Sequence, residues 1–470
     1  MASRLPADCL KEILEYLEKD KFSLHSCLLV NRLWCKISVR ILWRNIWTIN
    51  LVGYEHRLKV EKSILNMLII CLPNKSKKYL RQKGILNSSQ ISRTSLFDYA
   101  SFCKVLSVHG IVRMIADVFK SQRYLEEEIM KMFMKKIPLK KLYYYTNNSN
   151  TINLSFLHYP KAKDCLKKLS KLSCNSNVKF SFFHKLSQIS FNIQSLTIEF
   201  KKSISSDLND LISSQNNLKC LSLRLKHDIT DMKTDIIPSL TNHSNTLIKL
   251  KLEYYQNGPL SFITNFINLQ ELVLTFRNRD YFHELSDKLQ NVILPQLQIL
   301  KFLCAYPESD VIIKFLENNG KNLKEFYISC ENSDDSINLA IAKFCQNLQL
   351  LSILFGKIET LNLILKNCQQ LESIGTRHDN DLLKEKDLLE SLAKYSPKNF
   401  YRLKLFYNSS SKLTPEDLEE FFINWKNRVP QRPFSFIFRG CKNSLEAKEG
   451  NMEVIEKYKK LGIIHKFLKL

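Results

Sequence analysis

Along residues 5–47 the apolar positions recur at helical spacing. Leu10, Ile13, Leu14 and Leu17 form one stripe, the three-to-four-residue period of an amphipathic helix. Pro6 stands where that helix begins, since a first-turn residue has no use for an N–H. The polar run Glu18-Lys19-Asp20-Lys21 breaks the stripe. Ser23 is placed to cap a second helix through Leu24, Cys27, Leu28 and Val30. A third set follows: Leu33 or Trp34, Ile37, Ile41 and Leu42. Three helices this short enclose little core, so the module needs a partner or a neighbouring domain to cover it.

Residues 51–135 carry no repeat. The pattern predicts helices around Glu61–Leu72 and Ser107–Phe119. Between them, Pro73–Thr94 reads as a solvated polar loop holding Lys75, Lys77, Lys78, Arg81 and Lys83. Only Tyr79 interrupts those cations, too few aromatics for a nucleic-acid stacking platform.

From Leu139 onward the chain becomes quasi-periodic. A segment with apolar residues at its first, fourth and sixth positions recurs, usually after Asn, Gln or Pro. The copies are Leu139-Leu142-Tyr144, Ile193-Leu196-Ile198, Leu218-Leu221-Leu223, Leu247-Leu250-Leu252 and Leu269-Leu272-Leu274. They continue as Leu297-Leu300-Phe302, Leu323-Phe326-Ile328, Leu348-Leu351-Ile353, Leu371-Ile374-Thr376 and Phe400-Leu403-Leu405. A weaker copy, Leu166-Leu169, has Lys171 in sixth place, and steps run from 22 to 29 residues. Positions four and six lie two apart, so both point to one face of a short strand. Helix-like stretches fall between, at Ser206–Ser214, Asp310–Asn319, Asp335–Cys345 and Leu382–Lys394. No strand–helix unit can bury its apolar face alone, so the units must stack. Thr414-Pro415-Glu416 then reads as an N-cap, a first-turn proline and an acidic first turn. A helix through Leu418, Phe421, Phe422 and Trp425, the alternating run Pro433–Phe438 and a helix at Met452–Leu461 follow, as a terminal cap.

Two stretches resemble known families. The ordered set Leu5-Pro6, Leu10, Ile13-Leu14, Leu17, Leu24, Cys27, Val30, Arg32, Trp34 and Leu42-Trp43 resembles the F-box, in particular the expanded F-box families of fungi. The L-x-x-L-x-L copies at about 26-residue spacing resemble leucine-rich repeats, although the Asn or Cys expected beyond position six is mostly missing. The implied fold is α/β: a small three-helix F-box at residues 1–50, a helical spacer at 51–135, an irregular leucine-rich-repeat solenoid at 136–410 and a cap at 411–470. The implied function is substrate recognition in a Skp–cullin–F-box ubiquitin ligase. Leu5, Pro6, Ile13, Leu14, Leu17, Val30 and Trp34 would form or support the surface for a Skp-type adaptor, and through it cullin. The repeats would hold an unknown protein target. The alternatives are an interaction scaffold without ligase activity and a basic nucleic-acid-binding solenoid.

In such a solenoid the residues between the leucines line the inner face. Position five is Thr197, Ser222, Lys251, Val273, Lys301, Tyr327, Ser352, Gly375 and Lys404; position seven is Glu199, Arg224, Glu253, Thr275, Leu303, Ser329, Leu354, Arg377 and Phe406. Lys251, Lys301 and Tyr327 are the candidate target contacts.

Net charge changes this picture little. It is +24, but the lysines are spread along the chain, whereas a nucleic-acid footprint clusters on one face. The 13 cysteines contain no Cys-x-x-Cys pair, so a zinc site is not expected and reduced, buried thiols are. No secretory signal and no bilayer-length apolar run is present, which points to the cytoplasm or nucleus without membrane attachment. No catalytic motif of the hydrolase elbow, P-loop or zinc-protease kind occurs. Cys27 and Cys35 lie on apolar helical stretches, where a thiol is ordinarily inert. The expectation is a non-catalytic protein without cofactor or metal.

Overall fold

The computed structural model describes the chain except residues 1–4, 48–53, 88–93, 120–121, 137, 146–155, 177, 179–180, 201–206, 226–235, 255–260, 277–281, 330–333, 379–382, 430–431, 441–444, 446–447 and 470. The expected helix ends at Ser206 and Leu382, and part of the expected 73–94 loop, lie outside the described residues. The chain divides into two compact units, Met1–Leu218 and Lys219–Leu470.

The first unit opens with three helices, α1 (Ala7–Glu15), α2 (Lys21–Cys27) and α3 (Arg32–Leu42). Pro6 occupies the N-cap of α1. The cap of α2 is Asp20, not Ser23: the Asp20 carboxylate accepts from the Ser23 N–H at 3.0 Å and from its hydroxyl at 2.7 Å. Asp and Ser both cap well, and the turn places Asp20 one step outside the helix, so Ser23 becomes the third helical residue that receives the cap. Asn31 caps α3 in the same way, accepting from Trp34 N–H at 3.0 Å. Leu10, Leu14, Leu24, Cys27 and Ile41 form the small core, with Leu17, Trp34, Ile37 and Leu42 packed around it. Arg44 clamps the bundle, donating two 2.7 Å hydrogen bonds to the Glu15 carboxylate. Trp47 ties the module onward, its indole N–H donating to Val105 O at 2.7 Å.

Helices follow at Tyr54–Ile70, Asn74–Gln82, Val108–Phe119 and Arg123–Lys136. The second of these overturns the polar-loop expectation. Lys, Arg and Gln are good helix formers, and the segment buries Leu80 together with the Lys77 stem, a long side chain able to lie along apolar surface.

Four parallel strands then pair in chain order: β1 (Val105–Ser107), β2 (Lys141–Tyr144), β3 (Lys171–Asn175) and β4 (Ser195–Phe200). The series therefore starts before Leu139. Its first copy is Cys103-Leu106-Val108, buried at all three places, with Leu106 registered on Leu142. The Leu166-Leu169 reading is also corrected. Leu142 pairs with Leu172 and Tyr144 with Cys174, so the copy is Leu169-Leu172-Cys174. Cysteine serves as a small hydrophobe in both copies.

In the second unit ten parallel strands pair in chain order. These are β5 (Cys220–Leu225), β6 (Lys249–Glu253), β7 (Glu271–Phe276), β8 (Ile299–Cys304), β9 (Glu325–Ile328), β10 (Leu350–Ser352), β11 (Ser373–His378), β12 (Arg402–Tyr407), β13 (Phe434–Gly440) and β14 (Ile464–Lys469). Helices Ser309–Asn319, Asp335–Phe344, Ile358–Asn367, Glu385–Tyr395, Pro415–Lys426 and Asn451–Lys460 connect the later strands, each packing on the next. This is the α/β leucine-rich-repeat solenoid architecture. Leu250, Leu272, Leu300, Phe326, Leu351, Ile374 and Leu403 align across the sheet and are buried. The last sixty residues keep the same rhythm, adding β13 and β14 as further parallel strands. Thr414 forms the expected cap, a full capping box with Asp417.

The preference for Asn just before position one has a physical reason. Asn268 donates to Asn245 O at 2.8 Å, Asn322 to Pro295 O at 3.0 Å and Asn347 to Lys321 O at 2.9 Å. Each side chain thus satisfies a carbonyl of the preceding repeat, where a loop would otherwise leave it to solvent. Because these bonds are exposed, Asn347→Ala should cost only about 0.5–1.5 kcal/mol, read as a shift in urea midpoint.

No disulfide joins the described cysteines. Burial pushes the Cys165 thiol up to about 11 and that of Cys103 up to about 12, which suppresses the reactive thiolate. Cys9 and Cys304 are exposed. An alkylating reagent on the native chain should therefore label Cys9 and Cys304 well before Cys103, Cys165, Cys174 or Cys345, as peptide mass spectrometry would resolve. Among the described residues no helix is long and apolar enough to cross a membrane.

Candidate interaction surfaces

Two surfaces carry the candidate residues. On the N-terminal helices, the amphipathic pattern buries one set of apolar residues and leaves another exposed. Ile13 is 50% exposed, and Leu5, Pro6 and Val30 are exposed as well. Leu14 is sealed at 1% and belongs to the core; it supports the surface only from beneath. Leu17 and Trp34 are half-buried against that core. The structure adds residues that spacing did not single out: Tyr16, Phe22 and Leu29 each exceed 80% exposure, and Leu33 is exposed too. Single exposed apolar residues are ordinary, but a group of large ones on one small module is not. Tyr16 is one helical step from Ile13, and Leu29 adjoins Val30 in the turn between α2 and α3. Those were the available signals.

The second surface is the open face of the sheet in the second unit, where odd positions project. The register places Lys251, Val273, Lys301, Tyr327, Ser352, Gly375 and Lys404 in one row. The three candidate contacts are therefore brought onto one face, but they differ in state. Lys251 pairs with Glu253 at 2.5 Å, and Lys301 with Glu325 at 2.9 Å. Arg224 also pairs with Glu253, and Lys249 with Glu271 at 2.8 Å. Burial would raise the Glu253 carboxyl, but hydrogen bonds from Arg224 and Lys251 outweigh it and hold the group below the usual range. That pairing persists at neutral pH and is lost as pH falls through the lowered value.

Further along the same face, Lys404, Arg377 and Arg439 pair with no carboxylate among the described residues. Burial lowers the Lys404 ammonium, and repulsion from Arg402 and Lys301 lowers it further. A groove of about 320 Å³ opens beside it, lined by Tyr327, Ser352, Arg377, Phe406, Asn408 and Arg439 among others. Gly375 adds no side chain between Ser352 and Lys404; a Cβ there would come within 2.9 Å of the Ser352 hydroxyl oxygen. Arg377 and Phe406 stood in the position-seven row without being singled out. Arg439 lay outside the recognised copies.

No family model matches this sequence, nor does any curated protein sequence. Solved structures do resemble the chain. The Rad7 and Elc1 complex in yeast matches at 14% identity and a TM-score of 0.40, over 83% of this chain and 90% of that one. An internalin from Listeria monocytogenes matches at 14% identity and 0.37, over 66% and 82%. A leucine-rich-repeat protein of Leptospira interrogans matches at 15% identity and 0.36, over 73% and 87%. The likeness lies in the repeat architecture alone.

Proposed function

We propose that this chain is the substrate receptor of a Skp–cullin–F-box ubiquitin ligase, in which residues 1–50 dock a Skp-type adaptor and the repeats hold a target protein. The observation that carries the reading is the set of large apolar side chains left exposed on the three N-terminal helices. Ile13, Tyr16, Phe22, Leu29 and Val30 stay in water although the same helices bury Leu10, Leu14 and Leu24. Each such side chain, once covered by a partner, returns on the order of 1.5–3 kcal/mol. The ordered F-box-like residues say what kind of partner suits them.

The role is one of proximity. A receptor that holds its target and the adaptor at once raises the target's effective concentration at the ubiquitin carrier, with no chemistry of its own. The test is co-purification of the full chain with a Skp-type adaptor and cullin from a eukaryotic lysate. Recovery of both supports the ligase role. Adaptor without cullin leaves an adaptor-bound scaffold, and recovery of neither defeats the proposal.

A further inference from the structure

On the open face of the second unit, the cations of β6 and β8 are neutralised by their own neighbours, Glu253, Glu271 and Glu325. On β11 and β13 no such pair is present among the described residues. Arg377, Phe406 and Arg439 stand in register on three successive strands, all at odd positions. Their neighbours Thr376, Leu405 and Phe438 are buried, while Arg377 and Phe406 are half-exposed and Arg439 is exposed. No carboxylate pairs with either arginine among the described residues, and none of the groove's lining residues is acidic. Hydroxyls and an amide, on Ser329, Ser352 and Asn408, add neutral hydrogen-bonding groups.

We infer that this groove binds an acidic peptide segment of a partner protein, whose carboxylates meet Arg377 and Arg439 on either side of Phe406. Strands lie about 4.8 Å apart, so the two arginine backbones are roughly 10 Å apart. Carboxylates on alternate residues of an extended peptide share one face and lie about 6.7 Å apart. The long, flexible arginine side chains close the difference, and a guanidinium fork donates two parallel N–H bonds to a carboxylate. Phe406 offers an apolar platform between the two for the methylene stems. Charge complementarity selects the occupant: cations with no carboxylate partner among the described residues, at one end of a face on which Lys251 and Lys301 are already paired.

The inference takes from the proposed function only that the repeats bind a protein. Its test uses the full purified chain and a fluorescent synthetic peptide in which Asp and Glu alternate with Gly and Ser. Anisotropy should report binding of this peptide and none of its Asn/Gln counterpart, with affinity falling as salt rises. The R377E/R439E variant should lose at least about 50-fold, and should gain binding to the Lys-substituted peptide. Lys301→Met should change affinity less than about 3-fold, because that charge is already matched. Should the reversed variant fail to fold by circular dichroism, R377Q/R439Q takes its place and must show the same loss. Equal binding of the acidic and neutral peptides, or binding that survives both variants, overturns the inference. So does a single-stranded oligonucleotide that binds more tightly than the peptide and is lost in the same variant. Adaptor capture is scored in the same preparations, and its failure counts against the proposed function alone.

Discussion

Aspartate at both Ile13 and Val30 should abolish capture of a Skp-type adaptor by the full chain, a loss of at least about 100-fold, with helical content unchanged. The two sites are exposed in the free chain, so the new carboxylates stay hydrated there and cost little. In a covered interface each would be a buried, unpaired charge, which is among the most expensive groups to desolvate. The contrast with Leu14→Asp separates interface from core. Leu14 is sealed against Leu10, Leu24, Cys27 and Ile41, and a carboxylate there should unfold the three-helix module itself. Calorimetric titration with adaptor, read beside circular dichroism, distinguishes the two losses. Adaptor binding undiminished by the double exposed change would mean that these exposed side chains are not the docking surface.

How far these surfaces were legible depends on what decides each residue's place. The strand series was legible because leucine at positions one, four and six faces the core whatever the neighbouring repeats do. It blurred where cysteine took an apolar place, at Cys103 and Cys174, because cysteine carries no pattern weight of its own. The helix at 74–82 was hidden because one of its two buried side chains, Lys77, reads as charge. The Thr414 cap was legible because caps are local, whereas Pro6, read as a first-turn residue, stands one place earlier at the N-cap. Asp20 against Ser23 was not legible, since both are good caps and the turn chooses. The exposed apolar set was half legible: Ile13 and Val30 lie on the expected pattern, but Tyr16, Phe22 and Leu29 become exposed only once the three helices have packed. Lys251 and Lys301 were legible as members of the position-five row, but their ion pairs were not. Pairing with Glu253 and Glu325 arises within and across strands, whereas Arg377 and Arg439 pair with no carboxylate among the described residues.

The interior of the repeats should be more sensitive than the asparagine ladder at its edge. Asn319 is buried at the end of the helix Ser309–Asn319. Its Oδ1 accepts from Leu294 N–H at 2.7 Å, while its amide nitrogen donates to Val292 O at 2.9 Å and Phe315 O at 3.1 Å. The side chain thus replaces water for the backbone that leads into β8. Gln215 does the same in the first unit, accepting from Ile193 N–H at 2.8 Å and donating to Ser190 O at 2.9 Å. Asn319→Ala should destabilise the second unit by about 2–4 kcal/mol, since it strands a buried donor and acceptor at once, each worth roughly 1–3 kcal/mol. Asn319→Asp should cost more: it keeps the acceptor for Leu294 but turns the donor toward Val292 O into a second acceptor and buries a charge. In a stacked array each repeat leans on its neighbours, so the damage should show first as local opening. Hydrogen exchange at the Leu294 amide is the direct reading. Faster exchange there, ahead of the β12 amides, is the expected result; unchanged protection at Leu294 would mean that the Asn319 bridge contributes nothing to holding the turn.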